Sequence, residues 1–237
     1  MIFLVVESSL SVRESLCYTL LSFGIKGLPV ANRLEALEAI TKGDAIEGAI
    51  VDIDNADVDG IALVTALKQT PATQSIAVIV HTVQTSKDLV LRMVELGVAG
   101  YLLKPYDTET VRSKLAAIFS KLSTHNSQRR HIRIKPDPDD LARVSFRITT
   151  SQQLVSGRIV DISLGGMAVE LFNPPATDLL PPGTPIDHME FAVSGKELRP
   201  SSSVVLYKSK ILALRFDVMN PTDKKALERY IFKSISS

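Results

Sequence analysis

Residues 2–8 read Ile2-Phe3-Leu4-Val5-Val6-Glu7-Ser8. An unbroken apolar run of strand length marks a strand buried on both faces, which is the habit of a parallel sheet. Downstream, Val12, Leu16, Leu20 and Phe23 recur at steps of four, four and three, a helical spacing that Gly24 ends. The alternation then repeats. Strands are predicted at 25–31, 49–52, 75–80 and 101–103, and helices at 33–41, 61–67, 87–96 and 108–122. Strands and helices in strict alternation predict a doubly wound α/β domain over residues 1–122, with a five-stranded parallel sheet covered on both faces.

In such a sheet, sites gather at the C-terminal ends of the strands. Glu7 and Ser8 fall after the first strand, Asp52 at the end of the third, Thr82 after the fourth and Lys104-Pro105 after the fifth. Two carboxylates, a hydroxyl and an ammonium on one rim suit phosphoryl chemistry. Asp52 would be the nucleophile, Thr82 and Lys104 would hold phosphoryl oxygens, and a carboxylate-bound magnesium would neutralise charge. His81, at a strand end, reads as a packing or rim residue, and Cys17 as buried and inert within an amphipathic helix. His125, His131 and His188 have no metal-ligand spacing.

The constellation resembles the response-regulator receiver domain. Asp52-Ile53-Asp54-Asn55-Ala56-Asp57-Val58-Asp59-Gly60 matches that family's run from phospho-acceptor to glycine. The resemblance implies a flavodoxin-like fold with phosphorylation on Asp52. It also implies a switch pair in Thr82 and Tyr101, a cis proline after Lys104, and a sensor histidine kinase as partner. Magnesium would be held by Glu7, Asp52 and the position of Asp54, which supplies a backbone carbonyl. One departure stands out. The family carries two adjacent acids after its first strand, and here they are Glu7-Ser8. A neutral Ser8 removes a direct ligand, so magnesium is expected to bind weakly.

The second half opens on Gln128-Arg129-Arg130-His131-Ile132-Arg133-Ile134-Lys135, after a polar linker at 123–128. From Arg130 onward the residues alternate: Ile132 and Ile134 on one face, and Arg129, His131, Arg133 and Lys135 on the other. An arginine fork matches both a phosphate and the O6/N7 edge of guanine. Farther on, 154–163 and 167–172 form a hairpin about Gly165-Gly166, with Asp161 and Ser163 on the face opposite Val160 and Ile162. A carboxylate at Asp161 can accept from guanine's Watson–Crick edge, and Gly166 permits close backbone approach.

Arg129-x-x-x-Arg133 followed by Asp161-x-Ser163-x-x-Gly166 resembles the PilZ domain, the bacterial receptor module for cyclic di-GMP. The resemblance covers 129–237 and implies that Arg129, Arg133, Asp161, Ser163 and Gly166, assisted by Arg130, bind that ligand. The arginine stretch would wrap the ligand, and its ordering would change the angle between the domains. Further strands at 142–149, 185–193, 204–208 and 211–218 and a helix at 221–234 predict a small antiparallel β-barrel with a covering C-terminal helix. Pro174, Pro175, Pro181 and Pro182 make 173–184 a loop, and Asp137-Pro138-Asp139-Asp140 reads as a solvated loop.

Composition narrows the class further. The net charge of +1 gives no global pull toward nucleic acid. It is unevenly divided: residues 1–128 hold 11 basic against 14 acidic side chains, and residues 129–237 hold 16 against 12. The basic surplus lies where the anionic ligand is expected. A DNA or RNA binder would interleave aromatics with its basic stretch, and no aromatic interrupts Arg129 to Lys135. A single cysteine excludes an internal disulfide and suits a reducing compartment. The run from Met1 to Val6 is too short to span a membrane, so the expected location is cytoplasmic, without membrane insertion. No nucleophile–base set for an enzyme is visible. The expected reading is a bacterial two-domain signalling protein. Its downstream protein partner is unnamed by the sequence, and a homodimer is left open. The alternative is a degenerate receiver acting as a phosphorylation-independent scaffold.

Overall fold

Strand β1 (Ile2–Val6) lies between β2 (Lys26–Val30) and β3 (Ile46–Asp52), and the sheet continues through β4 (Ala77–Thr82) to β5 (Gly100–Leu103). All neighbours are parallel. The crossovers are α1 (Leu10–Ser22), α2 (Arg33–Thr41), α3 (Gly60–Gln69) and α4 (Lys87–Glu95), and α5 (Thr108–Leu122) closes the unit. The structure is a computed structural model that describes residues 1–42, 45–105, 107–122, 131–137 and 142–236. It divides into two units, Met1–Arg129 and Arg130–Ser237.

Both faces of the first sheet are dry, as its continuous apolar strands require. Leu4, Val6, Ala49, Val51, Val78 and Val80 pack with Ala36 of α2, Leu63, Val64 and Leu67 of α3, and Met93 of α4. The alternate residues Phe3, Val5, Ile50 and Ile79 are equally buried. On their face Phe3 meets Phe119 of α5 edge-on at 5.5 Å. Gly27 is a glycine because Cys17 of α1 lies against it; a Cβ there would fall 2.8 Å from the thiol sulfur. Cys17 is fully buried, as expected, and burial pushes its thiol up to about 12.

The second unit is one antiparallel sheet built from β6 (Arg143–Arg147), β7 (Leu154–Ser163), β8 (Gly166–Leu171), β9 (Pro185–Ile186), β10 (Glu190–Val193), β11 (Lys196–Leu198), β12 (Ser201–Lys208) and β13 (Ile211–Val218). Its order is β11-β10-β6-β7-β8-β13-β12-β9. Chain length shows that it curls. Strands β11 and β12 are six steps apart in that order, which in a flat sheet is about 29 Å. Only Arg199 and Pro200 join them, a connection that reaches at most about 11 Å. The same holds for β9 and β10. The sheet therefore wraps toward a barrel, although no ladder joins β11 to β9 among the described residues. Helix α6 (Pro221–Ser236) packs on β10 and β11 with Leu227, Tyr230 and Ile231 buried, the covering role expected of it.

Three local expectations are corrected. The single strand at 185–193 is two, because β9 pairs with β12 and β10 with β6, on opposite edges. Strand β11 was missed. The β7–β8 turn is Leu164-Gly165, with Ser163 and Gly166 paired across it. A bulge also interrupts β7: Ile159 pairs with Val169 and Asp161 with Ala168, leaving Val160 extra. The core residues are consequently Ile159 and Ile162, not Val160 and Ile162.

Candidate functional sites

The first site follows from strand register. Val6 pairs with Val51, and Asp52 pairs with His81. Paired residues of parallel neighbours share a face, so Glu7, one residue past β1, Asp52 and His81 form a row across three strand ends. All three are buried: 3%, 3% and 1% exposed. Lys104 enters from the end of β5, followed by a cis peptide bond to Pro105 as expected. Its ammonium lies 2.8 Å from Asp52 Oδ1, 3.6 Å from Glu7 Oε2 and 3.6 Å from Asp54 Oδ2. Desolvation alone would lower the Lys104 pKa, but the Asp52 hydrogen bond and charge, with Glu7 and Asp54, raise it.

Glu7 is held at both ends. Its Oε1 accepts from the Ser9 amide at 3.0 Å. Its Oε2 faces His81 Nδ1 at 3.1 Å. Burial would raise this carboxyl, yet the adjacent His81 ring, the Ser9 amide and the Lys104 charge bring it down to about 2. Arg13 of α1 donates to the backbone oxygens of Glu7 and Ser8, which fixes the turn after β1.

The other expected residues are arranged differently from one another. Asp52 Oδ1 also accepts from the Asp54 amide at 3.0 Å. The Asp54 side chain turns the other way, accepting from the Thr82 hydroxyl (2.6 Å), the Val83 amide (2.7 Å) and Gln84 (3.2 Å). Burial opposes its ionisation, but these bonds and Lys104 lower its pKa overall. Tyr101 donates to the Val90 carbonyl of α4 at 3.2 Å. The Ser8 hydroxyl accepts from Asn55 Nδ2 at 2.6 Å. A cleft of about 680 Å³ opens over Glu7, Ser8, Asp52, Asp54, His81 and Lys104.

His81 is the residue that sequence reasoning undervalued. Read as a packing or rim residue, it is buried as packing requires and is also the third member of the row. The register of β4 on β3 sets it beside Asp52, and the sequence carries no direct signal of that register. Magnesium prefers six oxygens and keeps several waters. The inward donors here are two carboxylates and an imidazole, and the Ser8 hydroxyl is engaged by Asn55. Glu7 and Asp52 could hold magnesium, but the set fits it poorly.

The second site is built on β7. Ile134 and Ile162 exchange backbone hydrogen bonds of 2.9 Å each way, which lays the arginine segment antiparallel to the strand end. Arg133 is then a diagonal neighbour of Asp161. Its guanidinium lies 3.0 Å from Asp161 Oδ1. Arg133 and Lys135 are exposed and Ile134 is buried, as the alternation requires. His131 departs from it: half-buried, its ring covers Gly165, where a Cβ would fall 2.5 Å from Cδ2. Ser163 is buried and ties the turn, donating to the Gly166 carbonyl (3.1 Å) and accepting from the Gly165 amide (3.3 Å). Arg129, Arg130 and the linker at 123–128 lie outside the described residues, as do residues 138–140 of the acidic loop.

Residues 3–116 match the response regulator receiver domain, and residues 127–233 match the PilZ domain. The chain joins a receiver domain to a PilZ domain. Its receiver half is 29% identical over 119 residues to a probable chemotaxis protein CheY of Rhizobium etli, covering 50% of this chain and 92% of that one. A stretch of 109 residues is 32% identical to the sensor histidine kinase CheAY of Helicobacter pylori, covering 46% of this chain and 14% of that one. Among solved structures, the chemotaxis response regulator CheY4 of Vibrio cholerae matches with 25% identity and a TM-score of 0.44, over 49% of this chain and 97% of that one. The PilZ domain of YcgR from Escherichia coli, solved with c-di-GMP, matches with 22% identity and a TM-score of 0.39, over 46% and 92%. Receiver and PilZ domains are regulatory modules, so the chain is a signalling protein. No helix among the described residues is long and apolar enough to cross a membrane.

Proposed function

We propose that the PilZ domain, residues 129–237, binds cyclic di-GMP through Arg129, Arg133, Asp161, Ser163 and Gly166, with Arg130 assisting. The observation that carries the reading is the pairing of Arg133 with Asp161 at 3.0 Å beside the Ser163–Gly166 turn. A phosphate-binding fork and a guanine-binding carboxylate then share one surface. Isothermal calorimetry with cyclic di-GMP and cyclic di-AMP tests it. Saturable binding with a clear preference for the guanine ligand is expected, and equal affinity for the two would overturn it.

The receiver domain, residues 1–122, is proposed to accept a phosphoryl group on Asp52 from a sensor histidine kinase, slowly, because magnesium is poorly held. Asp52 beside the Lys104 ammonium supports the acceptor role. A second reading has its own support: Ser8 in an acidic position, its hydroxyl taken by Asn55, favours a receiver kept as a phosphorylation-independent scaffold. Labelling by acetyl phosphate separates the two. Incorporation that Asp52→Asn abolishes supports the first, and none at saturating magnesium supports the second. The downstream protein partner is to be sought under both.

A further inference from the structure

We infer that Glu7, Asp52 and His81 form a site for a divalent transition metal such as zinc, in preference to magnesium. The inference concerns the same pocket as the phospho-acceptor reading but rests on its donor atoms rather than on phosphorylation.

Each of the three residues offers one ligand atom, and those atoms all lie within 4.8 Å of one another. Two ligands on one tetrahedral zinc ion stand about 3.4 Å apart, given metal–ligand bonds near 2.1 Å, so the set closes on an ion by side-chain shifts of up to about 1.4 Å. The donor types are two carboxylate oxygens and an imidazole nitrogen. Imidazole favours zinc, copper, iron or nickel, whereas magnesium favours oxygen alone. Glu7 provides an independent indication. Its Oε1 is engaged by the Ser9 amide, and its Oε2 is buried yet accepts no hydrogen bond. That oxygen faces His81 and the ammonium of Lys104, so the spot already attracts a cation. Lys104 is 23% exposed in its side chain and stands at the mouth, from which it can swing toward solvent as an ion enters. The third carboxylate nearby, Asp54, is committed to Thr82, Val83 and Gln84. An ion held by Asp52 would occupy the carboxylate that a phosphoryl group needs, so metal and phosphorylation would compete.

Cobalt is the probe, because zinc itself has no d–d spectrum. The two-domain chain, stripped with chelator, is titrated with cobalt and followed by its visible absorption. Bands of a nitrogen- and oxygen-ligated ion are expected; zinc should bleach them at stoichiometric amounts, and a large excess of magnesium should not. His81→Asn should weaken cobalt binding by at least about tenfold and alter the bands. Glu7→Gln should also weaken it, which keeps the test decisive if the histidine variant does not fold by circular dichroism. His188→Asn, an exposed histidine of the other unit, should change nothing. Unchanged cobalt affinity in both pocket variants, or displacement of cobalt by magnesium, would overturn the inference. Acetyl phosphate labelling of metal-free protein resupplied with magnesium is scored separately. Labelling without cobalt bands sinks the metal site alone, and bands without labelling sink the phospho-acceptor reading alone.

Discussion

Arg133 and Asp161 neutralise each other across 3.0 Å, in a site where each is proposed to meet a different part of one ligand. Both are partly open to solvent, with side chains 50% and 28% exposed, and a pair of that kind is worth about 0–1 kcal/mol. Exchanging it for a phosphate on the arginine and a guanine edge on the carboxylate is therefore cheap. Until then the pair keeps the two side chains ordered near their binding positions.

The two partners should respond differently to removal. Arg133→Ala should weaken cyclic di-GMP binding by about 2–3 kcal/mol, the scale of a lost charge-assisted hydrogen bond. Asp161→Ala should cost less, because it also frees Arg133 from its competitor; its chief effect should be to lower discrimination between cyclic di-GMP and cyclic di-AMP. Calorimetry of both variants against both nucleotides checks this.

Gly166 has a structural reason to be glycine, whatever the ligand does. A Cβ there would fall 2.1 Å from the backbone oxygen of Leu214 in β13. Gly166→Ala should destabilise the PilZ domain by about 1–3 kcal/mol, since backbone rather than a flexible side chain must shift. Urea unfolding measures the loss, and nucleotide binding by this variant should be judged only below its unfolding transition.

Ser8→Asp restores the formal charge that the receiver pocket lacks. At an effective dielectric near 20, it should strengthen magnesium binding by on the order of 1 kcal/mol or more. Acetyl phosphate labelling of the parent should be slow and should need high magnesium, with a clear gain in Ser8→Asp and none in either background once Asp52→Asn is added. Ready labelling of the parent at low magnesium would count against the poor fit described above.

Cys17 should be silent in the native protein. The thiolate is the reactive form, and burial raises the thiol from 9.0 to about 12. Iodoacetamide at mildly alkaline pH should modify it only after unfolding. The sign of the stability effect follows. Above pH 9.0 the unfolded state loses the proton first, so receiver stability should fall between pH 9.0 and about 12. Cys17→Ala should remove that part of the alkaline decline in a chemical-denaturation series.

The sequence alone determined the order of elements in the receiver half, because apolar runs and period-3.6 patterns are local, and only β2, Lys26–Val30, gives a weak strand signal. It also determined which polar residues end those strands, and so nearly all of the acidic rim. In the other half it determined the two motifs and the covering helix, whose apolar stripe needs a floor. What it did not carry was register and closure. A bulge at Val160 moves the core from Val160 and Ile162 to Ile159 and Ile162, and a single inserted residue leaves no mark on composition. The short strand β9 has its partner in β12, a non-local pairing, whereas β11 is the local return of a tight hairpin from β10. His81 shows the same limit in the site: only the pairing of β4 with β3 sets an imidazole beside Asp52 and within 3.1 Å of Glu7. Tertiary structure decided these points because side-chain neighbours across a sheet are chosen by pairing, and pairing is settled by the whole fold.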